Sequence, residues 1–143
     1  MNIQEISDRL ELKTLVDNFS NYADTKDFDD QILLFTEDAV VNTIIDGKTV
    51  THLEGRPEIQ TAFEEATGAS KSVFHMNGQQ TVKLIDETHA KGINYTLVNE
   101  ITERDGKELP MQAGARYDDT YLKVAGVWQI DKRNTNFVWS NIK

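Results

Sequence analysis

The chain changes its hydrophobic period once, and that change bounds its architecture. In the first third, apolar residues recur at helical intervals: Ile3, Ile6 and Leu10, then Leu12, Leu15, Val16, Phe19, Tyr22 and Ala23. The last half alternates instead, as in Ile93, Tyr95, Leu97, Asn99 and Ile101. Helices first and antiparallel strands afterwards predict an α+β fold. No Pro-, Gly- or Ser-rich stretch separates two units, so the 143 residues read as one domain, 1–143.

The spacing predicts helices near residues 4–24, 28–36 and 57–68. Asp27 and Asp30 read as the N-cap and acidic first turn of the second helix, which should bury Ile32, Leu33 and Phe35. Pro57 suits the first turn of the third, Ile59, Phe63 and Ala66 form its apolar stripe, and Gly68 is a stop. Ala39 to Ile45 and Lys48 to Leu53 read as a hairpin about Asp46-Gly47. From Val73 onward the pattern is strands, with turns at Asp86-Glu87-Thr88, Asp105-Gly106 and Ala125-Gly126. Long strands joined by tight turns predict a strongly bent sheet wrapped around the helices, with a pocket at its mouth. Apolar residues on both faces of the last strand, Trp128 and Ile130 against Val127, need cover on the outer side. They predict a homodimer, with a trimer as the alternative.

Composition narrows the function. Fifteen basic against twenty-four acidic residues give a net charge of −9 at pH 7. Nucleic acid and anionic membrane surfaces require the opposite sign. The absence of Cys excludes disulfides, thiol catalysis and Cys-based metal centres. No window approaches eighteen consecutive apolar residues, and the polar start Met1-Asn2-Ile3-Gln4-Glu5 is unlike a secretory signal. A cytoplasmic protein is the expectation. Phosphate-cradling and dinucleotide motifs are missing, as are Gly-x-Ser-x-Gly and His-Glu-x-x-His. His52, His75 and His89 are too scattered for a local metal motif. The expectation is therefore no metal and no cofactor, with acid–base chemistry from His, Asp, Glu and Tyr.

His75 stands in Val73-Phe74-His75-Met76-Asn77, an otherwise apolar strand start. On its residues alone it reads first as a core histidine bonded to backbone, and second as a base responsive to a nearby carboxylate. His89, in a turn, reads as solvated, and His52 as structural. Asp24 is the candidate partner, although a helical wheel centred on the Leu12–Ala23 stripe turns it toward solvent. Two escapes exist: unwinding at Asp24, or a cavity lined by that other face. Tyr95 and Asn99 share strand parity with Leu97 and Ile101. Arg133 has the parity of Val127, Gln129 and Asp131, opposite to Trp128 and Ile130. Facing a cavity, it could hold an oxyanion or a leaving group.

The ordered segments Tyr22-Ala23-Asp24-x-x-Asp27-Phe28-Asp29, Leu34-Phe35-Thr36-Glu37-Asp38-Ala39-Val40, Gly55-Arg56-Pro57-Glu58-Ile59, His75 and Gly126-Val127-Trp128-Gln129-Ile130 resemble the SnoaL-like branch of the nuclear-transport-factor-2-like superfamily. The resemblance implies a cone-shaped α+β barrel, its N-terminal helices packed in a strongly curved, mainly antiparallel sheet. It also implies a deep apolar pocket and dimers or trimers. The catalytic pattern is similar to that of scytalone dehydratase, hexachlorocyclohexane dehydrochlorinase and bile-acid 7α-dehydratase. By that resemblance Asp24 and His75 form an acid–base dyad. Lys132-Arg133-Asn134 matches the dehydrochlorinase, and Phe19 stands where the bile-acid enzyme has tyrosine. The second histidine of scytalone dehydratase has no counterpart, Asn99 lying in that strand region. The implied substrate contacts are Phe19, Tyr95, Asn99 and Arg133. The implied activity is a cofactor-free lyase, dehydratase-like, or an isomerase, acting on a small apolar molecule. A noncatalytic ligand-binding or dimerisation module of the same fold is the alternative.

Overall fold

A computed structural model describes residues 1–141; the last two residues of the expected domain lie outside this range. The first helix, α1 (Ile3–Thr25), is one continuous element. The Asn2 side chain caps it by accepting from the Glu5 N–H at 2.8 Å. It ends where Lys26 turns left-handed at φ 61°: the Lys26 N–H donates to the Ala23 carbonyl and the Asp27 N–H to that of Tyr22. Glycine is usual at such a position. Here the Lys26 ammonium is put to use, donating to the carbonyls of Gly68 and Ser70 beyond the third helix.

The second helix, α2 (Phe28–Ile32), is shorter than the sequence predicts, because the sheet recruits the residues that follow it. The Leu34 carbonyl accepts from Ile130 N–H at 2.8 Å. Phe35 opens β1 (Phe35–Ile45) opposite Ile130, and its carbonyl takes two hydrogen bonds from Arg56 at 3.0 and 2.7 Å. Leu33, expected inside, is 55% exposed. Asp27 does occupy the N-cap position, but its carboxylate accepts from the Thr25 hydroxyl instead of a helix N–H.

The remaining elements are β2 (Lys48–Glu54), α3 (Arg56–Thr67), β3 (Ser72–Leu84), β4 (His89–Arg104), β5 (Lys107–Val124) and β6 (Val127–Ser140). They form one six-stranded open sheet in the order β2-β1-β6-β5-β4-β3. All pairings are antiparallel except β1 with β6. The sequence-predicted α+β class and mainly antiparallel sheet are thus observed. Asp46-Gly47, Asp105-Gly106 and Ala125-Gly126 all have both residues at positive φ, the two-residue turn that matches strand twist. Leu12, Leu15, Val16 and Phe19 of α1 form a core with Phe35, Val41, Tyr117, Tyr121, Trp128 and Ile130.

One flank of α1 is polar and is docked along β3. Arg9 donates to the Val82 carbonyl, Gln80 to that of Leu12, and Asn77 to the Asp17 carboxylate and accepts from Ser20. Helix and strand run in opposite senses through this seam, which ends at Asp24 and His75. A second device sits in β6. Tyr121 pairs with Ile130 but Thr120 pairs with Lys132, leaving Asp131 as an extra residue. This bulge flips the strand's parity. Arg133 therefore points to the same inner face as Trp128 and Ile130, correcting the parity read from the sequence.

Candidate active site

The α1–β3 seam explains why Asp24 is not in solvent. Its side chain leaves the last turn of the helix about one quarter of the circle from the apolar stripe, at roughly 100° per residue, on the flank that carries Ser20. The helix does not unwind there. The first strand turn of β3 covers that flank. Both Asp24 oxygens accept from the His75 backbone N–H at 3.0 Å, and Oδ1 also meets the His75 ring Nδ1 at 2.7 Å. The side chains are 25% and 9% exposed, so the pair is shielded but not sealed.

A carboxylate accepts only, so the contact places the Nδ1 proton between the two groups and leaves Nε2 with its lone pair free. Among the described residues Nε2 has no partner, and it is not among the sealed-off polar atoms. A base with an oriented, unoccupied acceptor is the arrangement that general-base chemistry needs.

Arg133 is almost fully buried at 1% exposure. Its Nε and Nη2 bond the two oxygens of Asp119 at 2.8 and 2.9 Å. Its guanidinium lies 4.3 Å from the Phe19 ring centroid and 3.8 Å from that of Tyr117. Burial alone would lower the Arg133 pKa, but the charge and hydrogen bonds of Asp119 outweigh it and raise it. Nη1 is buried and has no partner. Around the pair, Asn94 donates to Asp119 and to the Tyr121 hydroxyl, which itself donates to Asp119. Burial, and then the Asp119 charge, push the Tyr121 phenol far up. Burial also raises Tyr117; Arg133 opposes this, while Asp119 and Asp24 add to it.

A sequence profile of the SnoaL-like domain matches residues 4–134. The chain belongs to the SnoaL-like family. An uncharacterized Mycobacterium tuberculosis protein is 28% identical over 134 residues, covering 93% of this chain and 87% of its own. The SnoaL-like fold is shared with solved structures. One is a candidate scytalone dehydratase from Novosphingobium aromaticivorans, with TM-score 0.84, 18% identity and 99% and 91% of the two chains covered. Another is a hexachlorocyclohexane dehydrochlorinase from Novosphingobium barchaimii, with TM-score 0.80, 13% identity and 99% and 93% covered.

Within this SnoaL-like fold the structure brings Asp24 to His75, and Phe19 to Arg133. Tyr95 and Asn99 are not brought to either group. They lie on the outer face of β4 with Ile93 and Leu97, Tyr95 opposite Arg116 and Asn99 bonded to Gln112. The inner residues of β4 are Ala90, Gly92, Asn94, Thr96, Val98 and Glu100. The sequence reading assumed that the more apolar parity faced inward, and β4 has the reverse. Asp119, the partner that holds Arg133, was missed. Its signal was available in Tyr117-x-Asp119-x-Tyr121, an acid between aromatics at strand spacing. Among the described residues no cluster of His, Asp and Glu has metal-binding geometry. No helix is long and apolar enough to cross a membrane. A surface hollow between the start of α1 and Gly126–Trp128 is lined by Ile3, Ile6 and Leu10, and neither Asp24 nor His75 lines it.

Proposed function

We propose that the protein is a small cofactor-independent lyase, dehydratase-like, or an isomerase, which acts on an apolar small molecule through the Asp24–His75 dyad. The observation that carries this reading is the 2.7 Å contact that fixes His75 with Nε2 free. In the proposed step, Nε2 takes a proton from carbon next to a carbonyl or leaving group. Asp24 stabilises the imidazolium that results. Arg133, oriented by Asp119 and lying over Phe19, favours the negative charge that develops through its field, its Nη1 being sealed from direct contact. Elimination follows if a leaving group sits on the next carbon, and isomerisation if the proton returns elsewhere. The working form in this proposal is a cytoplasmic homodimer, with a trimer as the alternative.

The test needs no knowledge of the natural substrate. An apolar ketone such as 2-tetralone is incubated with the protein in deuterium oxide, and loss of its α-protons is followed by NMR. Exchange above buffer is expected, and it should fall about 10²–10⁴-fold in His75→Ala, the range for removing a general base. Asp24→Asn should lose most of the rate too, with the fold retained by circular dichroism. No exchange in the wild type, or exchange that survives His75→Ala, would sink the catalytic reading and put the ligand-binding module in its place.

A further inference from the structure

Glu100 is the one acidic side chain on the inner face of β4. It pairs with Val73 while His75 pairs with Val98, so Glu100 is the diagonal neighbour of His75 on the same face of the sheet. Diagonal neighbours lie about 7–8 Å apart, within reach of a long side chain or a small ligand. The residue is only 9% exposed. Its Oε1 accepts a single hydrogen bond, from the hydroxyl of buried Ser70 at 3.2 Å. Among the described residues it has no ion pair. Oε2 has no partner among the described residues, yet is not among the sealed-off polar atoms. Ser70 in turn is held by Lys26, two residues past Asp24, which fixes the Ser70 carbonyl from the end of α1. The carboxyl is thus braced at Oε1 and left one donor short at Oε2 among the described residues.

We propose that Glu100 is a specificity-determining residue, whose free Oε2 accepts a hydrogen bond from a hydroxyl group of the substrate. This rests on the reading that the substrate lies against the dyad. A buried carboxyl with one neutral donor is unfavourable by itself, and local rules are broken in this way where a ligand completes them. The base at His75 Nε2 and the acceptor at Glu100 then lie side by side on the inner face. A molecule that satisfies both has a carbon acid at the base and a hydroxyl a short distance from it. Hydroxylated carbon acids are the class that fits. A site built to bond a hydroxyl discriminates strongly against an analogue that lacks the donor.

The experiment compares 2-naphthol, a donor, with 2-methoxynaphthalene, which can only accept. Both are titrated into wild type, Glu100→Gln, Glu100→Met and Asp24→Asn by calorimetry. Wild type should prefer the naphthol by at least about tenfold, the equivalent of 1.4 kcal/mol. Glu100→Gln offers a donor in place of Oε2, and Glu100→Met offers neither. Both should bring the preference close to unity. The ratio cancels the size difference between the probes, and the Met variant guards against misfolding of the amide variant. Asp24→Asn should keep the preference. Failure of wild type to prefer the naphthol overturns the proposal, as does a preference that survives both Glu100 variants. A preference abolished by Asp24→Asn alone would assign the hydroxyl to the dyad and also overturn it. Because binding is read without turnover, these outcomes are independent of whether 2-tetralone exchanges its protons.

Discussion

Asp119 carries more consequence than its absence from any motif suggests. It neutralises a buried arginine, takes both fork nitrogens and accepts from Asn94 and Tyr121. Removal of its charge strands a guanidinium between two aromatic rings. Asp119→Asn should therefore destabilise the protein by about 3–5 kcal/mol, the usual penalty for breaking a buried pair on one side. Urea unfolding checks this, and a loss under 1 kcal/mol would show that the pair is better solvated than its 1% exposure implies. At this scale the sequence was legible where chemistry and position agreed. The resemblance points to Asp24 and His75 as a pair, whereas wheel and strand reasoning alone favours solvent for one and core for the other. Arg133 faces the opposite way from its sequence parity, since a bulge at Asp131 leaves no local trace in the apolar pattern. Tyr95 and Asn99 were singled out on the wrong face.

Elements are held by polar anchors that periodicity does not reveal. Near the start of α1, Asp8 is buried and accepts from Trp128 Nε1 at 2.9 Å, Lys123 at 3.1 Å and Gln4 at 3.1 Å. Burial would raise its carboxyl, but the bonds from Trp128, Lys123 and Gln4 outweigh it and hold it below the ordinary 3.8. A folded-state pKa below the unfolded one means that unfolding takes up a proton in acid. The stabilisation is complete above that ordinary value and disappears as pH falls through the lowered one. Asp8→Asn should cost about 1.5–3 kcal/mol at pH 7, the range for hydrogen bonds to a charged group. The gap between wild type and variant should close as pH falls below about 4. Denaturation midpoints measured from pH 7 to 2.5 decide it, and a gap independent of pH would contradict it. On β4, Gly92 leaves room for the ring of Tyr121: a Cβ there would lie 2.8 Å from its Cε2. Tyr121 is fully buried and tied to Asp119, so it has little freedom to retreat. Gly92→Ala should destabilise by about 1–3 kcal/mol through overpacking, and a neutral thermal melt would refute it. Helix and strand boundaries were legible except where sheet pairing took over the end of α2, a tertiary effect outside the reach of local propensity.

The outer surface makes the case for self-association. Most half-covered strands bury their apolar side, whereas β4 places Asn94, Thr96 and Glu100 inward and Ile93, Tyr95, Leu97 and Ile101 outward. Inside, Asn94 donates to Asp119 and Glu100 accepts from Ser70. The outward apolarity continues onto Phe74 and Met76 of β3 and Val138 and Trp139 of β6, which are 53%, 58%, 62% and 47% exposed. A contiguous apolar surface on a sheet face marks an interaction site in a soluble protein. A second copy is the expected occupant: a two-fold axis sets the same patch against itself and needs no further partner. Charge does not oppose this, since Arg116 and Asp118 of β5, opposite Tyr95 and Ile93, lie 3.7 Å from one another and put one charge of each sign beside the patch. Leu97, 47% exposed in the middle of the patch, is the residue to change. Leu97→Glu would bring one carboxylate per subunit into the contact without touching the inner face. Sedimentation at micromolar concentration should show a wild-type dimer and a monomeric variant, while 2-tetralone exchange per subunit stays within about twofold, because no residue of the dyad or of the Arg133 cluster belongs to the patch. A monomeric wild type would remove the reason for the inverted pattern of β4. A dimer that survives Leu97→Glu would move the contact to another face.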